Sequence, residues 1–211
     1  QATVTTVTSS DVDGGTPIYS IVGGADAARF TIDASTGVLT FVAAPNYEAP
    51  TDAGGNNVYD VMVRVADGNG GTDTQAIAVT VTNVNEAPVI TSGAAVSAAE
   101  NQTAVTTVAS SDVDGGTPIY SIIGGADAAL FSIDSATGVL TFNSAPDFEA
   151  PSDNGGNNVY DVTVRVIDGN GGSDTQALAV TITNVNEAPV ITSNGGGASA
   201  GVSVAENQTA V

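Results

Sequence analysis

Asp11 and Asp112 lie in the same seven-residue string, SSDVDGG, at Ser9–Gly15 and again at Ser110–Gly116. The offset of 101 that relates them also carries Gly37 to Gly138, Glu48 to Glu149, Asp67 to Asp168 and Asn85 to Asn186, and about four in five aligned positions are identical. A repeat of that length is a whole domain rather than a solenoid unit. Whatever the first hundred residues fold into, the second hundred must fold into again. A third copy begins near Pro189: AENQTAV at Ala99–Val105 returns at Ala205–Val211, displaced further by the Gly-rich stretch Ser193–Gly201. The expected organisation is a first repeat at 1–87 lacking its first strand, a complete second repeat at 88–188, and the first-strand fragment of a third at 189–211. Both ends cut through a repeat, so the chain reads as a slice of a longer tandem array.

Within a repeat the apolar residues alternate with period two. In VYDVTVRVID, Tyr160, Val162, Val164 and Val166 share one face, and Asp161, Thr163 and Arg165 the other. Val, Ile and Thr dominate these runs, and GGTP, STGV, DGNGG and GGNN punctuate them. The pattern predicts an all-β fold of tandem seven-stranded Greek-key β-sandwiches arranged end to end. In the second repeat the strands are expected near Val96–Ala99, Ala104–Ser110, Ile119–Ile123, Leu130–Ile133, Val139–Phe142, Val159–Ile167 and Asp174–Thr183. No amphipathic helix is visible, and GADAA has room for one turn. Inward residues are small and aromatics make up only 5%, which predicts a thin core.

The formal net charge is −20, and Arg29, Arg64 and Arg165 are the only cations. Phosphate binding runs on Lys and Arg, so nucleic acid is a poor partner and an anionic membrane surface is disfavoured. No apolar run is long enough to insert into a membrane. Two carboxylates about 5 Å apart repel by ~3 kcal/mol at an effective dielectric near 20. Such a pair needs either a cation or full solvation, and an isolated Asp-x-Asp before Gly-Gly is ordinarily a solvated, Asx-bonded turn. Here it does not stand alone. The second repeat adds Glu100 at a strand end, an acid-rich turn (Asp147-Phe148-Glu149), a lone loop Asp (Asp168) and an oxygen-rich connector (Asn184–Pro189), and the first carries the counterparts of all but Glu100. Carboxylates mixed with neutral oxygens suit calcium, which takes six to eight of them. Magnesium prefers fewer protein ligands, and zinc or copper would want the His or Cys that the chain lacks. Paired acids can also serve glycoside hydrolysis, but copies in every repeat with no His, Lys or Cys helper speak against an enzyme.

In order and at matching spacing, AEN, SSDVDGG with PIYSI, FSIDSATGVLTF, DFE, VRVIDGNGG and VTITNVNEAPVI resemble the motifs of tandem cadherin repeats, of the kind found in large bacterial surface proteins. The resemblance implies a cadherin/immunoglobulin-like sandwich and two or three Ca2+ ions at each junction between repeats. After the first repeat the ligands would be Glu48 with Asn46, then Asn83, Asn85 and Glu86, joined by Asp112, Asp114 and Asp168. After the second they would be Glu100, Asp147, Glu149, Asn184, Asn186 and Glu187. Asp11, Asp13 and Asp67 would face a preceding repeat. The connector is one residue shorter than the family's, with Glu86 and Glu187 where it has Asp, Asn83 and Asn184 in place of its first Asp, and Asn46 in place of Asp. The family's vertebrate members adhere by exchanging a Trp, and there is none here. The implied role is a calcium-rigidified extracellular spacer or stalk of a bacterial adhesin or fibre, partnered by neighbouring repeats of the same long chain. The alternative is that the repeats themselves bind another copy or a polysaccharide. The trailing segment also contains the strand that the first repeat lacks, which predicts self-association by strand donation.

Overall fold

The computed structural model describes residues 3–193, 198–199 and 201–207. The chain divides into two units: Gln1–Ala87 with the loops Asp112–Gly116 and Asn170–Gly172, and Pro88–Ser111, Thr117–Gly169 and Ser173–Val211.

Unit 1 contains β1 (Thr3–Thr6), β2 (Ile18–Gly23), β3 (Phe30–Ile32), β4 (Val38–Phe41), β5 (Val58–Ala66) and β6 (Thr72–Thr80). They form two three-stranded sheets, ordered β1-β4-β3 and β2-β5-β6. Unit 2 repeats this plan with additions: β7 (Val89–Ile90), β8 (Ala95–Ala99), β9 (Ala104–Thr107), β10 (Ser110–Ser111), β11 (Ile119–Gly124), β12 (Phe131–Ile133), β13 (Val139–Phe142), β14 (Val159–Ile167) and β15 (Ser173–Thr183). Its sheets are ordered β11-β14-β15-β8 and β12-β13-β9, with β7 and β10 as a short separate pair. The β8–β15 pair is parallel and the rest are antiparallel.

The alternation read from the sequence governs burial. Along β14 Tyr160, Val162, Val164 and Val166 are buried while Asp161 and Arg165 are exposed. The core is organised by three rings: Phe131 stacks on Phe142 at 4.5 Å, and Tyr160 meets Phe142 edge-on at 5.1 Å. Phe30, Phe41 and Tyr59 repeat the arrangement in unit 1. Such ring pairs add about 0.5–1.5 kcal/mol each beyond area burial. The buried tyrosines keep their hydroxyls satisfied, Tyr120 with Ser110 Oγ at 2.8 Å and Tyr160 with the Ser152 N–H at 3.2 Å.

The predicted strand Ala104–Ser110 is in fact two. β9 pairs with β13, the Val108 N–H goes to the Gly138 carbonyl, and the chain then changes partner so that β10 pairs with β7. With that split and the unpredicted β7, the seven expected strands of this repeat become nine. Leu130 belongs to a one-turn 3-10 helix, Ala128–Leu130, rather than to the strand that follows, because its N–H bonds to the Asp127 carbonyl.

Candidate metal centre

Three stretches of unit 2 converge beyond the end of β8. Glu100 follows that strand and is 3% exposed. Its Oε2 accepts the Phe148 N–H at 2.8 Å and its Oε1 the Val185 N–H at 2.7 Å, tying the strand to the 147–149 loop and to the connector. Asp147 Oδ1 accepts the N–H groups of Glu149 and Ala150, which tightens the loop. Asn184 Nδ2 donates to Glu149 Oε1, and Asn101 Nδ2 donates to Glu187 Oε1 at 2.8 Å. Asn186 Nδ2 donates to the Glu187 carbonyl. One carboxylate oxygen from each of Glu100, Asp147 and Glu149 lies within 4.8 Å of the other two. Loss of surrounding water, and then the negative charge on Glu100, raises the Glu149 pKa.

Unit 1 assembles a second triad, Glu48, Glu86 and Asp114, with the same 4.8 Å limit. Asp114 accepts Asn83 Nδ2 at 2.8 Å on one oxygen and the Glu86 N–H at 2.7 Å on the other. Those two bonds, the Glu86 one first, hold its pKa below the usual carboxylate range. Glu86 moves the opposite way, raised by loss of water and then by the charge on Glu48. Glu48 Oε1 is shielded from solvent and has no hydrogen-bond partner among the described residues. An ionised oxygen in that position is costly unless something positive reaches it. Asn46 stands where unit 2 has Asp147 and plays its turn role, accepting the Ala49 N–H at 2.9 Å.

Not every predicted ligand joins a triad. Asp112 Oδ1 accepts the Asp114 N–H at 3.0 Å, so the Asp-x-Asp pair is an Asx turn that frees only its second carboxylate. Asp168 is 7% exposed and belongs to neither triad. Asn85 Nδ2 donates to the Glu86 carbonyl. In unit 1, Asp11 Oδ1 accepts the Asp13 N–H, and Asp67 Oδ1 accepts those of Asn69 and Gly71. Asp11 and Asp67 line a cleft of about 430 Å³ together with Asp73.

Two sets of acids escaped the sequence reading. Asp127, 5% exposed, accepts the N–H groups of Asn154 and Asp161 at 2.7 and 2.8 Å, and Asp26 does the same in unit 1 with Ala53 and Asp60. Asp153 binds the N–H groups of Asn157 and Asn158. These carboxylates are satisfied by backbone and organise loops. The only signal for them in the sequence was the recurrence of GGADAA and of Asp before GGNN.

The donor set of both triads is all oxygen, charged and hard, which fits calcium and not a soft metal. Residues 94–183 match the family model for the cadherin domain. They are a cadherin domain. The first repeat is identical to it at about four in five positions. Among solved structures, the chain is similar to human protocadherin-24 EC1-2 (Form II; TM-score 0.60, 21% identity, 83% of this chain and 86% of that one). It is also similar to mouse cadherin-23 EC22-24 (TM-score 0.53, 22% identity, 81% and 53%) and to protocadherin gamma B2 extracellular cadherin domains 1-5 (0.55, 22%, 82% and 34%). At these identities the likeness is one of fold, the all-β cadherin sandwich. Among curated protein sequences nothing matches the chain.

Proposed function

We propose that this chain is a calcium-stiffened spacer segment of a large extracellular adhesin or fibre on a bacterial surface. The observation that carries the reading is the Glu48–Glu86–Asp114 triad, in which a buried carboxylate oxygen lacks a partner among the described residues and a neighbouring acid has its pKa raised by loss of water and then by the charge on Glu48. A dication relieves both at once. In unit 1 Glu48, Glu86 and Asp114 would hold it, and in unit 2 Glu100, Asp147 and Glu149, with Glu187 and the neighbouring Asn oxygens as further ligands. Asp112, in the same unit, would extend the first set toward the two or three ions that the family resemblance implies. Asp11, Asp13 and Asp67 would serve a preceding repeat.

The mechanical consequence follows from where the acids sit. Glu86 and Asp114 lie on connector and loop, tied by the Glu86 N–H, and Glu48 is half-buried in the same unit. With calcium present, charge attraction fixes the connector. Without it the same charges repel and the connector flexes, so that a stiff rod becomes loosely jointed. The cadherin domain at 94–183 supports an adhesion-related, extracellular role. A spacer is favoured over a direct binder because Tyr47 is the sole aromatic among the large exposed hydrophobic residues described. Exposed Ile119 and Ile123, on the face of β11 opposite buried Tyr120, favour the second reading, in which the repeats themselves bind a partner copy or a polysaccharide.

The test is thermal unfolding across a calcium titration, with a chelator control and magnesium for comparison. Binding to the native state alone stabilises by about 2.7 kcal/mol per site at a hundredfold excess over Kd. Melting must rise with calcium and return with chelator. A melting temperature indifferent to calcium refutes the reading.

A further inference from the structure

Asn158, the residue before β14, breaks two local rules. Its φ is 61°, in the left-handed region where a Cβ is disfavoured, and its Oδ1 is buried with no hydrogen-bond partner among the described residues. Asn57 repeats both features in unit 1, with φ 63° and a buried, unpartnered Oδ1. A strained backbone and an orphan polar atom both oppose folding, and their recurrence at one position points to a role outside folding itself. The turn has glycine available. Gly156, two residues earlier, takes the same conformation at φ 61°, with nothing within 4 Å of where its Cβ would lie. At position 158 the side chain is therefore retained for what it binds.

What it binds is the metal-bearing loop. Asn158 Nδ2 donates to the Phe148 carbonyl at 2.9 Å, between Asp147 and Glu149, and Asn57 Nδ2 donates to the Tyr47 carbonyl at 2.9 Å, next to Glu48. This bond also accounts for the orphan. With the amide turned over, Oδ1 would face another carbonyl oxygen, and neither could donate. The backbone of Asn158 is fixed independently: its N–H goes to Asp153 Oδ1 at 3.0 Å, and its carbonyl accepts the Ile182 N–H of β15 at 2.8 Å. The amide thus ties the loop to the end of the β14–β15 pair. The other ties end on triad carboxylates, since the Phe148 N–H bonds to Glu100 and Asn184 bonds to Glu149. Only a tie that involves no carboxylate is indifferent to whether the triad is charged, protonated or loaded.

We propose that Asn158 is a positioning residue that holds the 147–149 loop in its binding shape before an ion arrives, and that Asn57 does the same for Glu48. A loop ordered in advance does not have to be ordered by the ion, and the affinity gains what that ordering would have taken. The proposal deepens the metal reading and rests on it for the effect on affinity. The effect on the empty loop rests on the hydrogen bond alone.

The test compares the 211-residue parent with Asn158→Gly and Asn57→Gly. Calcium affinity is read by NMR in chelator-buffered titrations, at the Glu149 amide for unit 2 and the Glu86 amide for unit 1. Hydrogen exchange of the Glu149 and Ala150 N–H groups, both bonded to Asp147 Oδ1, reads loop order in chelator. Gly accepts the left-handed φ and removes the orphan oxygen, so Asn158→Gly should melt close to the parent in chelator. It should weaken calcium binding at Glu149 about tenfold, the equivalent of one hydrogen bond, and leave Glu86 unchanged. Exchange at Glu149 and Ala150 should quicken by about the same factor. Asn57→Gly should weaken binding at Glu86 and spare Glu149. Asn158→Asp keeps the shape of the turn but offers no donor, and should quicken the same exchange, so a poorly folded Gly variant does not leave the question open. Parent-like exchange in the folded variants overturns the proposal, even where melting falls, because the side chain then serves stability alone. Quickened exchange with unchanged affinity, in a parent that binds calcium, also overturns it. If exchange quickens and the parent itself ignores calcium, the loop tie stands and the metal reading fails.

Discussion

Replacing Glu100 with Gln separates the two things that this buried acid does. Its two oxygens accept backbone N–H groups at 2.8 and 2.7 Å, and the residue is 3% exposed. Hydrogen bonds to a charged acceptor contribute about 1.5–3 kcal/mol each. Gln keeps one oxygen as a neutral acceptor and turns its NH2 toward a second N–H, so one charged bond is lost and the other weakened. Against this, one negative charge leaves the triad with Asp147 and Glu149, but both of those are exposed and their field is screened by water and salt. The bonds win, and the net loss is about 2 kcal/mol, or on the order of 10 °C in melting temperature for a domain of this size. Scanning calorimetry in chelator reads the shift, and hydrogen exchange over β14 and β15 assigns it to unit 2. Because the Glu100 charge helps raise the Glu149 pKa, the same variant should bring Glu149 back toward an ordinary value by NMR titration. Calcium should then rescue the variant less than the parent. A Glu100→Gln chain that melts at or above the parent in chelator would show that repulsion dominates, and the argument from hydrogen bonding would fall.

Two further perturbations test the frame around the site. Gly138 has φ 71°, and a Cβ there would lie 2.3 Å from the Val108 carbonyl oxygen, so Gly138→Ala should cost at least the ~1–2 kcal/mol of a left-handed residue. Gly37→Ala should match it in unit 1, with the Val7 oxygen at 2.2 Å, and a calorimetric trace unchanged by either is the contrary result. The pH dependence should have two limbs. Asp33, held at about 2 by the Thr36 N–H and the Ser35 hydroxyl, and Asp134, lowered by the Thr137 N–H and hydroxyl, add stability that is complete above the ordinary carboxylate range and lost as pH falls through it toward about 2. Glu86 and Glu149 are raised, so their native forms hold protons longer, and stability declines as pH climbs from the carboxylate range toward neutrality. Urea midpoints in chelator should therefore pass through a mildly acidic maximum, and calcium should abolish the neutral-side decline. A midpoint in chelator that rises steadily to neutrality would contradict the raised pKa values.

Much of the fold is legible because period two is a local property. β14 needed only the alternation of Tyr160, Val162, Val164 and Val166, and both sheets of each unit follow from such runs. Partner exchange is not local. Nothing in Ala104–Ser110 marks where the chain leaves β13 for β7, since that break is set by Gly138 capturing the Val108 N–H from a distant strand. Among the acids, Asp114, Glu48 and Glu86 converge as their types and positions suggest. Asp112 does not, because equal-side carboxylates at i and i+2 require extended backbone, and the chain here is already turning toward Gly115 at φ 73°. Asp127 was invisible as a buried acid because its partners, Asn154 and Asp161, come from elsewhere in the repeat.

The arrangement of each triad explains why one ion could control stiffness without holding the fold together. In unit 2 the three aromatic rings and the buried valines of β14 form a core that contains no triad residue. The triad instead draws one acid from the end of β8 and two from the 147–149 loop, and the connector is attached to them through the Val185 N–H and the Asn184 amide. Those attachments are hydrogen bonds to carboxylates that repel one another, so the cluster they hold together is opposed by its own charge. A dication reverses the sign of that interaction for every member at once, while the core, packed out of reach, gains nothing directly. Calcium should therefore act first on the connector and loop and only second on global unfolding, which is the order of effects that a spacer needs and an enzyme does not.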